Sequence, residues 1–176
     1  MRKALAAALC LVLLAASGTA LAEKTVTLTF AGDCTLGGED WLINREGSFH
    51  DYARKEGYTY FFEKMRDFFS EDDLTIINFE GVLKDDSRDA VNKTYCFRGP
   101  TDFARILPLS SIEAVNLDNN HTLDYGKRGK TSTVEALTGA GVHVFDELTP
   151  YIFEKDGIKI AFFGMQRVHF FSCGNS

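Results

Sequence analysis

The sequence predicts an α/β protein: a layered sheet, largely parallel in its first part, flanked by helices. Three observations predict it. Short apolar runs of strand length alternate with segments of helical period between residues 25 and 145. Polar clusters follow three of the strand-like runs. Asp156-Gly157 then separates two more apolar runs, which is a hairpin signal.

The elements follow in order. Residues 25–31 alternate and then turn at Gly32, so they read as a strand. Residues 60–70 place Phe61, Phe62, Met65, Phe68 and Phe69 at helical spacing, with Glu63, Lys64, Arg66 and Asp67 between them. That pattern predicts one amphipathic helix whose aromatic stripe belongs to the core. Residues 74–79 form a short apolar strand, and 81–98 are polar with one strand-like piece at 93–97. Pro100-Thr101-Asp102 opens a helix that runs to Leu107. Residues 112–117 are the next strand, and 130–140 are a helix closed by Gly141. Strands at 142–145, 151–154 and 158–163 complete the series, and the last reads as an interior strand.

The amino terminus carries an address. Met1-Arg2-Lys3 is basic, residues 4–16 are almost wholly apolar, and Ala20-Leu21-Ala22 is a small-x-small cleavage pattern. Residues 1–22 therefore read as a secretory signal peptide, and contact with a membrane is expected only through export. The apolar run is short for a membrane anchor. The formal net charge is −6, and losing Arg2 and Lys3 makes the mature chain more acidic. An acidic chain with scattered Lys and Arg is not expected to bind nucleic acid. Cys34, Cys96 and Cys173 are left after cleavage. An odd count at wide spacing is no disulfide framework. One bridge is possible, and spacing does not choose it.

The chemistry concentrates at strand ends. Gly32-Asp33-Cys34-Thr35 follows the first strand, Asn78-Phe79-Glu80-Gly81 ends the second, and Asn119-Asn120-His121 with Asp124 follows the third. In a parallel sheet these ends lie side by side, where ligands of open α/β sheets bind. Asp33, Glu80, Asn120 and His121 would converge there as two carboxylates, an amide and an imidazole. Mn²⁺, Mg²⁺ and Zn²⁺ accept such donors. Each cluster also has a plainer reading: a Gly-Asp turn or an Asn cap. The Gly-rich turn at 32–38 lacks the Gly-Lys-Ser/Thr ending of a phosphate loop.

Thr29-Phe30-Ala31-Gly32-Asp33, Ile77-Asn78-Phe79-Glu80-Gly81, Phe97-Arg98-Gly99-Pro100 and Asn119-Asn120-His121 with Asp124 and Gly126 occur in that order. In this combination the chain resembles the CapA family of bacterial capsule and poly-γ-glutamate synthesis proteins, over about residues 25–164. The resemblance implies a calcineurin-like metallophosphatase fold with a metal centre at the strand ends. It implies that Asp33, Glu80 and Asn120 are metal ligands. His121 would protonate a leaving oxygen with Asp124 orienting it, and Arg98 would contact an anionic substrate. A surface arginine is the plainer reading of Arg98. The implied partners are an envelope polymer or other capsule synthesis proteins.

There are departures. Asp118 stands where that family carries a small residue, and it either alters the local charge or points away. Thr35 stands where metallophosphatases often place a His, and the later His-x-His pair is missing. Of the four histidines, His50 reads as solvated, His143 as a packed or edge-strand residue, and His169 lies in an unassigned tail at 165–176. The chain therefore reads as the amino-terminal part of a longer protein that does not retain its metal firmly. Three functions remain open: an exported envelope-polymer synthesis protein, an extracellular metal-dependent phosphoesterase, and a non-catalytic remnant or binding module.

Overall fold

The computed structural model describes residues 23–166. The signal-peptide reading and the tail beyond Gln166, with Cys173 and His169, lie outside them. A four-stranded parallel sheet organises the chain. It is built from β1 (Leu28–Cys34), β2 (Leu74–Phe79), β5 (Ala114–Asn116) and β6 (His143–Phe145), in the order β1-β2-β5-β6. Two short strands, β3 (Val82–Leu83) and β4 (Arg98–Gly99), pair with each other. The α/β expectation with a parallel first part is met.

β2 is buried along nearly its whole length, as expected of a parallel strand covered on both faces. On one face Ile77, Phe79, Val115 and Leu117 pack with Phe103, Ile106, Leu107 and Leu137. Phe103 and Ile106 come from a 3-10 helix, Thr101–Ile106, and Leu137 from the helix Gly126–Gly139. On the other face Leu74, Ile76 and Ala114 pack with Phe145 and Phe162. Phe162 comes from an antiparallel hairpin of β7 (Tyr151–Lys155) and β8 (Ile158–Phe162). Asp156 and Gly157 both have positive φ, 53° and 81°, as the two-residue turn of that hairpin requires.

Several expectations are corrected. β1 does not end at residue 31. Its register shifts between Phe30 and Asp33, after which Asp33 pairs with Asn78 and Cys34 with Phe79. Asp33 therefore sits on the strand, past an irregularity that re-aims the side chains. Residues 60–70 are not one helix. A 3-10 turn (Tyr58–Tyr60), an irregular turn and the short helix α2 (Arg66–Ser70) replace it. Phe61 stacks on Phe49 at 3.8 Å and Phe69 packs on Phe62, while Phe68 is left 59% exposed. Tertiary stacking outweighs the weak helix preference of an aromatic run.

Phe49 belongs to a helix that the periodicity did not suggest, α1 (Phe49–Glu56). Ser48 caps it by accepting from the Asp51 N–H at 3.2 Å, and the Asp51 carboxylate accepts from the Gly47 N–H at 2.9 Å. His50 lies on α1 and is 7% exposed, so it is not solvated. Residues 93–97 lie outside any strand, and β4 follows them. The segment after Pro100 is a 3-10 helix and not an α-helix. α3 (Gly126–Gly139) begins before the expected residue 130 and is followed by Ala140 as its cap and Gly141 at φ 86°. β8 pairs only with β7 among the described residues, so its other edge has no strand partner there. His143 lies exposed on the edge strand β6 and stacks on Tyr151. Among the described residues Cys34 and Cys96 are not bridged to each other.

Candidate active site

Parallel pairing brings the carboxyl ends of β1, β2 and β5 together. Asp33, Asn78 and Asn116 are partners in register across the three strands. Side chains alternate along a strand, so Asn78 and Asn116 continue the face of Leu74, Ile76 and Ala114. A polar row thus closes the hairpin side of the core. The Asn78 amide donates to Asp33 Oδ1 at 2.6 Å, and Asn78 Oδ1 accepts from Asn116 at 2.9 Å and from Asn119 at 3.1 Å.

Asn119 carries this row into the loop. Its amide also donates to the Phe79 carbonyl at 2.8 Å, and its Oδ1 accepts from the His121 N–H at 3.0 Å. That last bond fixes the backbone of His121 at the end of the network. The loop is set by its own side chains, with Thr122 Oγ1 donating back to the Leu117 carbonyl.

His121 is 7% exposed and Asp124 is 1% exposed. His121 Nδ1 lies 2.7 Å from Asp124 Oδ2, and His121 Nε2 faces Glu80 Oε1 at 3.6 Å. The second Asp124 oxygen, Oδ1, accepts from Lys93 Nζ at 2.9 Å, while Oδ2 also accepts from the Phe97 N–H at 2.8 Å. A carboxylate holding those donors is ionised and acceptor-only. The 2.7 Å contact therefore assigns the neutral ring's proton to Nδ1 and leaves the lone pair on Nε2, toward Glu80. Lys93 lies 3.2 Å from Nδ1, a close approach rather than a bond for that tautomer. Phe97 stacks on the imidazole with ring centres 4.3 Å apart. The ring is held by Asp124 at one edge and by Phe97 on one face.

The sequence-predicted residues fare differently. Glu80, His121 and Asp124 are brought together, and Asp33 joins them through Asn78 and Asn119. Asn120 is exposed, and the network runs through Asn119 instead; the Asn120 carbonyl accepts from Lys93 at 2.8 Å. Arg98 is not a surface arginine. It is 7% exposed, its Nε and Nη2 bind Asp40 Oδ1 at 2.8 and 2.7 Å, and its Nη1 donates to the Lys84 carbonyl at 2.7 Å. A guanidinium so engaged ties β4 to its surroundings. Asp118 accepts from the Glu147 N–H, so its charge is held by backbone. Beside the site a cavity of about 800 Å³ is lined by Lys93, Asn119, Asn120, Leu123 and Lys130.

Among the described residues, no group of three or more His, Cys, Asp or Glu side chains could hold an ion. Glu80 and His121 Nε2 supply two donors, and Asp33 is engaged by the Asn78 amide. What the arrangement can do is move a proton at Nε2, opposite a carboxylate, with the imidazole orientation fixed. Next to it, burial and the Asp33 charge push the Cys34 thiol upward, so that sulfur is a poor nucleophile.

Sequence reasoning missed Asn116, Asn119, Lys93 and Phe97 as parts of the site. Asn116 was legible, because it stands two residues after the buried Ala114. Lys93 and Phe97 lie in a segment whose strand-like pattern misled, because the chain there is a loop.

Comparison with known proteins places the chain in a family. Residues 27–175 match the family described as bacterial capsule synthesis protein PGA_cap. Two curated relatives, from Mycobacterium tuberculosis strains CDC 1551 / Oshkosh and ATCC 25618 / H37Rv, are each named a probable polyglutamine synthesis accessory protein. Each is 39% identical over 70 residues, which is 40% of this chain. The chain's match spans 18% of the length of those relatives. With the match covering well over half of its length, the chain belongs to the PGA_cap family of bacterial capsule synthesis proteins.

Proposed function

We propose that this chain serves an exported protein that assists synthesis of a capsule or poly-γ-glutamate-type envelope polymer. Its Glu80–His121–Asp124 group is the acid–base site of a metallophosphatase-like centre. The observation that carries the reading is the pair of contacts on one imidazole: 2.7 Å from Nδ1 to a buried Asp124 and 3.6 Å from Nε2 to Glu80. His121 protonated at Nε2 gives that proton to a leaving oxygen, and Asp124 stabilises the imidazolium while it exists. Glu80 holds the opposite side of the gap. The relatives' names support the polymer role, and the small-x-small pattern at Ala20-Leu21-Ala22 supports export.

The test is made in the source cells. A chromosomal His121→Ala allele is expected to lower surface polymer, and amino-terminal sequencing of the exported protein is expected to begin after Ala22. Unchanged polymer, or a mature protein that starts at Met1, counts against the reading. A second reading, a binding module without catalysis, is favoured by the two-donor geometry at Glu80 and His121. It predicts that the His121→Ala allele is silent while deletion of the gene is not.

A further inference from the structure

Away from the sheet ends, α1 and the 3-10 helix Thr101–Ile106 enclose a cleft of about 320 Å³. It is lined by His50, Ala53, Arg54, Tyr58, Pro100 and Phe103. Among the described residues neither ring nitrogen of His50 has a hydrogen-bond partner, although both are buried. Buried polar groups are almost always paired, and an unpaired one carries its full desolvation cost. His50 sits with its ring against Phe103, centroids 5.1 Å apart. Burial, then the Arg98 and Arg54 charges, lower its pKa, so the ring is neutral with one donor and one acceptor.

The other walls have complementary chemistry. Phe103, Pro100, Ala53 and the Tyr58 ring are flat or apolar. The Tyr58 hydroxyl is committed to Asp102 at 2.5 Å. The Arg54 guanidinium stands at the rim with 56% of its side chain exposed. It is held only by 3.5 Å contacts to the Ile43 carbonyl and Asp51. Its fork is free to turn to a planar anion.

We propose that this cleft binds a small carboxylate with a flat apolar body, whose carboxylate pairs with Arg54 and, after a turn of the imidazole that brings its buried N–H to the cleft, accepts from His50. The volume is at the lower end of ligand pockets, roughly 300–1,000 Å³, which limits the ligand to a single-ring size. The site is separate from the His121 network, so it stands or falls independently of the proposed catalysis.

Sodium benzoate is the probe, with benzyl alcohol as its uncharged counterpart, titrated into the whole chain and followed by NMR at the Ala53 methyl and the His50 ring. The expected result is a saturable shift with millimolar affinity. Arg54→Gln, His50→Phe and replacement by benzyl alcohol should each weaken it about tenfold, the size of one charge-assisted hydrogen bond. Arg54 is exposed, so Arg54→Gln reads binding even where His50→Phe disturbs folding. No saturable shift by about 20 mM benzoate, equal binding in Arg54→Gln, equal binding in a folded His50→Phe, or equal binding of benzyl alcohol overturns the proposal.

Discussion

Asp124 is the residue on which the site turns, because four groups converge on it: the His121 ring, the Lys93 ammonium, the Phe97 N–H, and the Val91 N–H on its carbonyl. Removing one donor leaves a carboxylate that is 1% exposed short of a partner. Lys93→Met is therefore expected to lower stability by about 1–2 kcal/mol, less than a fully buried pair because Lys93 keeps contact with water. The urea midpoint measures it, and an unchanged midpoint would count against the clamp. At this scale Asp33, Glu80, His121 and Asp124 were legible because each follows a short apolar run at a strand end. The choice between Asn119 and Asn120 was not. Adjacent amides have the same chemistry, and only the loop's backbone path decides which one turns inward. His50 was misread for a related reason: its neighbours in sequence are polar, and its burial comes from Phe103, far along the chain.

Elements were legible where burial is continuous or turn chemistry is strict. β2 is an uninterrupted apolar run, and Asp156-Gly157 supplies the two positive φ angles of a tight hairpin. The helix expected at 60–70 failed because Phe61 is drawn flat onto Phe49 of α1 while Phe68 is left exposed, so the stripe does not keep one helical face. α1 had a usable signal in Ser48 followed by Asp51 three residues later, an N-cap pattern that hydrophobic periodicity does not detect. Close packing at α3 gives a prediction at this scale. A Cβ on Gly129 would lie 2.7 Å from Tyr125 Cβ and 3.1 Å from Val82 Cγ1. Gly129→Ala is expected to cost about 1–3 kcal/mol by overpacking, despite the better helix propensity of Ala. Thermal denaturation checks it, and a stabilised variant would show that α3 can move off β3.

At the scale of the whole molecule, one sheet face lies under helices and the other under a two-stranded hairpin. Tyr125 is packed at 1% exposure beside Arg98 and Gly129, and burial followed by the Asp40 charge pushes its pKa up to about 12. Tyr58 is likewise raised to about 12, by burial and by its bond to Asp102. A pKa raised in the folded state means the folded form binds the proton more tightly. The stability this represents is complete below the unfolded value of about 10 and is lost as pH rises toward 12. Alkaline unfolding should therefore track tyrosinate absorbance, and Tyr58→Phe should shift it upward; coincident curves for both proteins would contradict this. Metal binding at the strand ends depends on what several strands bring together. Two donors such as Glu80 and His121 would hold a divalent ion only loosely. Calorimetric titration of Mn²⁺ and Zn²⁺ is expected to give micromolar or weaker affinity, reduced further in Glu80→Gln. Nanomolar binding of two ions would mean that the donor set is larger than the described strands provide.

In the proposed function His121, oriented by Asp124 and facing Glu80, is the proton-transfer group of a hydrolytic site. The most direct test is hydrolysis of a simple phosphate monoester by the purified chain, measured beside His121→Ala with both proteins shown to be folded. Slow turnover is expected, falling by about 10²-fold or more in His121→Ala, the usual contribution of a positioned acid–base group. Equal rates in the two folded proteins would contradict it.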